Sequence, residues 1–207
     1  MKKYIAPLIL LILLVQGCRS QKNKNQEIMV PEVNNQFEKF DIETFNAESI
    51  RGKRIETSAE FYIEEDTQSF GYARQIFPHQ SYFSVLKLYY KNSFIKEKGF
   101  SFNNGSEIGE WYTFDESGKL TGSTNTDENY AFGYLQLIEY CEQHKINLQK
   151  GHADSGFQTS VYKEKDEKGT NIWVITHQIA GDRLERITLD GGTGKVLETE
   201  AIEFINH

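Results

Sequence analysis

Apolar and polar positions alternate with a period of two over much of the chain, most regularly between Phe83 and Asn125. Side chains on a half-buried strand face core and solvent in turn, so this pattern predicts antiparallel strands near 83–91, 94–102, 107–114 and 119–125. Asn104-Gly105 is a tight-turn pair between the second and third. One short phrase is written twice: Tyr90 to Lys96 (YKNSFIK) and Phe114 to Leu120 (FDESGKL) each read as strand end, polar turn and strand start. Upstream, Phe37, Phe40, Ile42 and Phe45 suggest one or two helical turns ahead of a break at Gly52. Ile55, Thr57, Ala59, Phe61 and Ile63 alternate along a single strand from Arg54 to Ile63, and a second strand over Phe70–Phe77 ends at Pro78. Both are expected to extend the same antiparallel sheet.

The period changes after Asp127. Tyr134, Leu137, Ile138 and Cys141 make one helical stripe, predicting a helix over about 130–146 capped by Asp127 or Asn129, with His144 and Lys145 near its C-terminal end. Strands are expected at 157–163, 171–178, 183–189 and 195–204, separated by turn residues at 166–169, 180–182 and 190–194. The fold class is therefore α+β: an antiparallel β-meander followed by one helix packed on a C-terminal antiparallel sheet.

Tyr90, Asn92, Ile95, Lys96, Gly109, Trp111, Phe114, Asp115, Gly118 and Leu120 carry a resemblance to the bacterial MORN-variant repeat, a β-ribbon scaffold whose carriers are often antitoxin-like. Ser93 stands where that repeat has glycine, and a Cβ disfavours positive φ, so the first turn is expected to be distorted or of another type. Trp173 and the run Ile187, Asp190, Thr193, Gly194 and Val196 resemble the closing hairpin of PepSY-like domains. That likeness implies binding and restraint of peptidases in the cell envelope.

At the N-terminus, Lys2 and Lys3 precede an uncharged run from Ile5 to Val15, long enough for a signal-peptide core and too short to span a bilayer. Leu14-Val15-Gln16-Gly17-Cys18 resembles a lipobox, which implies cleavage before Cys18 and acylation of that cysteine. Several acyl chains anchor firmly where one binds only marginally. Residues 18–36 read as a polar tether with a reach of roughly 25 Å. The expected organisation is 1–17 signal peptide, 18–36 acylated cysteine and tether, 37–127 repeat sheet, and 128–207 helix plus sheet.

Composition narrows the partners. The formal charge is −7, and loss of Lys2 and Lys3 takes it to −9, which disfavours nucleic acid and anionic lipid surfaces. With Cys18 acylated only Cys141 remains, so no intramolecular disulfide forms, and Cys141 is expected in the core. The five histidines lack the spacing of a helical metal pair, and no glycine-rich phosphate loop is present. The turns at Asp115–Gly118 and Asp190–Gly192 lack the ligand alternation of a calcium loop. His152, Asp154 and Ser155 supply the letters of a hydrolase triad, but sequence neighbours seldom supply its geometry. The run Lys163–Lys168 reads as a solvated hairpin tip, and Glu198, Glu200 and Glu203 as the wet face of the last strand.

The expected function is that of a non-enzymatic lipoprotein in the bacterial envelope, anchored through Cys18, with no cofactor and no metal. It would bind a protein: a toxin, a peptidase or an envelope component, in an immunity-like or inhibitor-like role. Contact is expected through Tyr89, Trp111, Tyr112, Asp115 and Glu116. The alternatives are a surface-assembly lipoprotein without inhibitory activity and, less simply, a hydrolase.

Overall fold

A computed structural model describes residues 28–204; Cys18 and the apolar run before it lie outside the described residues. Helix α1 (Ile42–Glu48) is capped by Asp41, whose carboxylate accepts the Thr44 N–H at 3.0 Å. Seven strands then follow in chain order as one antiparallel meander: β1 (Lys53–Thr57), β2 (Phe61–Gln68), β3 (Gly71–Pro78), β4 (Phe83–Tyr90), β5 (Ile95–Phe102), β6 (Glu107–Phe114) and β7 (Leu120–Asn125). After α2 (Tyr134–Gln143), strands β8 (Ser160–Lys165), β9 (Asn171–Ala180), β10 (Arg183–Asp190) and β11 (Val196–Glu203) form a second antiparallel sheet, ordered β11-β10-β9-β8. The fold is thus α+β, dominated by two antiparallel sheets. Among the described residues no helix is long and apolar enough to cross a membrane.

The single strand expected over 54–63 is two. Ser58 folds the chain back: its hydroxyl accepts the N–H groups of Glu60 and Phe61 at 3.1 and 3.2 Å, and its own N–H reaches the Phe61 carbonyl. A period-two pattern continues through so tight a hairpin without a visible break. The helix is shorter than the expected 130–146 because Tyr130 and Phe132 are drawn onto the second sheet. There Trp173 donates its indole N–H to the Phe132 carbonyl at 2.8 Å, and the Tyr130 ring meets Trp173 edge-on. Neither expected cap is used. Asn129 has φ 69°, Asp127 accepts the Gly109 N–H at 3.0 Å, and Gln136 reaches back to the Gly133 N–H instead. The helix ends in a Schellman-like turn, with Lys145 at φ 58° and the Ile146 N–H on the Cys141 carbonyl.

One core crosses the compositional boundary at 127/128. Phe83, Val85, Phe100, Phe102 and Ile108 of the meander cluster with Leu137, Ile138 and Cys141 of α2 and with Val161, Trp173, Ile175, Ile187 and Leu189 of the second sheet. Cys141 is a core hydrophobe, and burial pushes its thiol up to about 12. The sheets also meet through backbone: the Ser106 N–H donates to the Val161 carbonyl, and the Val161 N–H to that of Asn104. Lys163 is not a solvated hairpin residue. Its ammonium is buried under Tyr130 and Trp173 and donates to Asp127 and to the carbonyls of Glu107 and Thr126. Strand β11, by contrast, is wet on both faces, with Val196 and Leu197 exposed as well as its glutamates.

From Ile28 onward the expected tether is part of the fold. Ile28, Val30 and Val33 pack against the main core, and the Ser81 hydroxyl donates to the Met29 carbonyl at 2.7 Å. Lys39 then pairs with Phe94 as an antiparallel bridge, and Phe40 and Phe45 build a second cluster with Tyr89, Ile95 and Phe114. Residues 28–48 thus form a strap laid along one face of the meander.

Candidate interaction face

Strand register divides the meander into two unlike faces. Arg54, Glu65, Arg74, Lys87, Lys98 and Tyr112 stand opposite one another across six strands, so they share a face. The row Glu56, Ile63, Ile76, Val85, Phe100 and Ile108 lies on the same face and feeds the main core. On the other side of the charged row, Tyr72 and Tyr89 feed the second cluster. The inner face is therefore banded: core, charge, core.

Charge in that middle band is neutralised locally. Arg54 donates to Glu48, Glu56 and Glu65 at 2.6, 2.9 and 3.0 Å, and Arg74 donates to Glu65 at 2.5 Å. The strap supplies the remainder: Glu38 accepts from Lys87 and Lys98 at 2.5 Å each, and the Gln36 carbonyl accepts from Lys98 at 2.6 Å. Lys98 and Glu65 are almost wholly buried, and an unpaired charge there would cost several kcal/mol. Burial pushes the Glu38 carboxyl up, but the hydrogen bonds and charges of Lys87 and Lys98 outweigh it and hold the group below its ordinary range. Four cations meet four carboxylates, so the chain's acidic excess resides elsewhere.

The opposite face is open. Its rows are Ile55, Glu64, Gln75, Leu86 and Gly99, and Lys53, Asp66, Ala73, Leu88, Glu97 and Thr113. Leu86, Leu88 and Ala73 sit half-buried at its centre, while Ile55 is 55% exposed. Around them stand Glu64, Asp66, Glu97 and Glu107, against a single lysine of these rows, Lys53, paired with Glu64. Glu107 is exposed by area, yet its carboxyl is raised, first by the surrounding protein bulk and then by the charge of Glu97. The second cause matches the register, since both residues lie on this face. The arrangement offers an aliphatic centre in an acidic frame, suited to a partner that brings apolar and basic groups together.

Of the residues expected to make contact, Trp111 shares this face with Thr113 by register but is buried there, and the others lie elsewhere. Tyr89 is fully buried in the second cluster, and Trp111 is 4% exposed, lying over Gly99 with its indole N–H on the Phe100 carbonyl at 3.2 Å. Both are therefore packing residues. A Cβ on Gly99 would come within 2.2 Å of the Trp111 ring, which accounts for the glycine. Tyr112 is half-buried against the second cluster. Asp115 is occupied by its own turn, accepting from the Ser117 N–H and hydroxyl and from the Lys119 N–H, and these bonds hold its carboxyl low. Of the five, Glu116 is exposed, while its carbonyl accepts from the Asn92 amide at 2.8 Å and so ties the two repeat turns together.

Those turns are the same turn. Ser93 donates its N–H to the Tyr90 carbonyl and Tyr90 to that of Phe94, just as Gly118 donates to Asp115 and Asp115 to Lys119. Tyr90 is thus equivalent to Asp115, one residue from the alignment suggested by residue type. Ser93 adopts φ 73° where Gly118 adopts 83°, so the expected distortion does not occur; the serine takes the left-handed conformation.

His152, Asp154 and Ser155 do not assemble as a triad. His152 stacks on Tyr62 with ring centroids 3.9 Å apart and meets the Asp154 carboxylate at 3.2 Å, while Ser155 makes no hydrogen bond to it. His152 thereby covers the Tyr62 and Phe77 end of the open face. Among the described residues no three His, Cys, Asp or Glu side chains come together as a metal-ligand set. The open face escaped the sequence reading because strand pairing creates it: Leu86, Leu88, Glu64 and Glu97 come from three strands and become neighbours only through register. Comparison with known proteins brings no match, neither to a protein-family model, nor to a curated protein, nor to a solved structure.

Proposed function

We propose that this chain is an envelope lipoprotein, acylated at Cys18, that works without catalysis by binding another protein through the open face of its meander, in an immunity-like or inhibitor-like role. The observation that carries the reading is the contrast between the two faces. The strap and a balanced band of charge close one, and the other presents Leu86, Leu88 and Ile55 among unbalanced carboxylates. The resemblances to MORN-variant repeats and to PepSY-like domains point the same way, toward restraint of a toxin or a peptidase at the membrane. A second reading, a surface-assembly lipoprotein that organises envelope components without inhibiting them, is favoured by the uncharged edge strand β7.

The test is affinity capture from detergent-solubilised envelopes, with the native protein as bait and a Leu88→Lys, Glu97→Lys variant as control. One stoichiometric protein held by the native bait and lost by a folded variant supports the reading. A partner retained equally by both moves the contact off this face, and no enriched protein favours the assembly reading.

A further inference from the structure

Two sheets have four edges, and three of them are shielded. Strand β1 carries Lys53, Arg54 and Glu56; β11 carries Glu198, Glu200 and Glu203; and β8 is covered where Asn104 and Ser106 hydrogen-bond to Val161. Charge on an edge and cover by another segment are the ordinary ways a protein prevents strand addition. Among the described residues strand β7 has neither. It reads LTGSTN, without a charge or a proline, among the described residues it pairs with β6 alone, and five of its six residues are exposed.

We propose that β7 is a self-association edge, pairing antiparallel with β7 of a second copy so that two seven-stranded meanders join as one continuous sheet. Charge selects this occupant. Each copy has a net charge of −7, so copies repel wherever their acidic surfaces meet, and β7 is the edge where two backbones can approach with no like charges opposed. An antiparallel pair of identical strands is isologous and closes at two copies, whereas addition of β7 to β1 of another copy would continue into a filament. Composition suits self-pairing as well, because Thr121, Ser123, Thr124 and Asn125 bring hydroxyl and amide groups to the seam, and groups of that kind favour cross-strand hydrogen bonds. A six-residue edge buries far less than the roughly 1,200 Å² of a standard stable interface. The dimer is therefore weak in dilute solution and strengthens wherever copies are concentrated together.

The chain provides a clean assay once Cys18 is replaced by serine, since the other cysteine, Cys141, is fully buried. Single cysteines are placed at each of residues 121 to 125 in the purified full chain, which is then oxidised over a series of protein concentrations. Ile55→Cys on β1 and Glu200→Cys on β11 serve as equally exposed controls. In an isologous antiparallel pair a residue meets its own copy only near the two-fold axis. Cross-linking is thus expected to peak at one or two central positions, fall toward both ends, exceed the controls at least tenfold and vanish when Thr124→Lys is added. A flat profile across β7 at the level of the controls overturns the proposal. Preferential joining of β7 cysteines to β1 cysteines in mixed samples overturns the closed dimer in favour of a filament.

Discussion

Ser93 shows how much a single position can say when its conformation is known. A residue with a Cβ at φ 73° carries a cost of about 1–2 kcal/mol, which glycine avoids at some expense in unfolded-chain entropy. Ser93→Gly should therefore raise stability by about 0.5–1 kcal/mol in urea unfolding. Gly118→Ala should lose clearly more than that, because φ is 83° and the new Cβ would come within 2.4 Å of the Phe37 ring. A loss of stability in both variants would deny the equivalence of the turns. Glu38 gives a prediction in pH. Its folded pKa lies below the unfolded one, so its stabilisation is complete above the unfolded value near 4.3 and is lost as pH falls through the folded value. Glu38→Gln should cost about 2–4 kcal/mol at neutral pH, by leaving Lys98 without its counter-ion. The gap between native and variant should then close steadily below about pH 4. A gap that stays constant down to about pH 3 would show that the carboxylate charge is not what holds the strap.

Among the elements, the strands of the meander were the most legible. Alternation placed β4 to β7 within a residue or so of where they lie, since a half-buried strand writes its two faces into the chain. Hairpins tighter than the window of the pattern were not legible, and so β1 and β2 read as one strand. The strap was missed for a different reason. Ile28, Val30 and Val33 sit in a six-residue stretch broken by Pro31, too short to show a period, and what fixes them is a core assembled from strands far along the chain. The charged row was hidden too, because Arg54, Glu65, Arg74, Lys87 and Lys98 each look like ordinary solvent-facing residues until register sets them side by side. The strap should accordingly behave as structure. Deleting residues 28–36 should lower the urea midpoint of an otherwise intact chain and expose the main core to a hydrophobic dye. An unchanged midpoint would return the segment to the role of a tether.

For the whole molecule, the strap changes what an anchor at Cys18 would mean. If lipid is attached there, the path from Cys18 to Ile28 spans at most roughly 35 Å fully extended, and the meander is then held near the bilayer by the same segment that closes its inner face. The open face is what remains to meet a partner. Placement on that face can be tested by installing a photo-activated cross-linking side chain, in the full chain in cells, at Ile55 or Thr113 on the open face and at Glu110 on the opposite one. All three positions are exposed. The account predicts one discrete cross-linked protein from Ile55 and Thr113 and none from Glu110; cross-linking from Glu110 alone, or equally from all three, would contradict it.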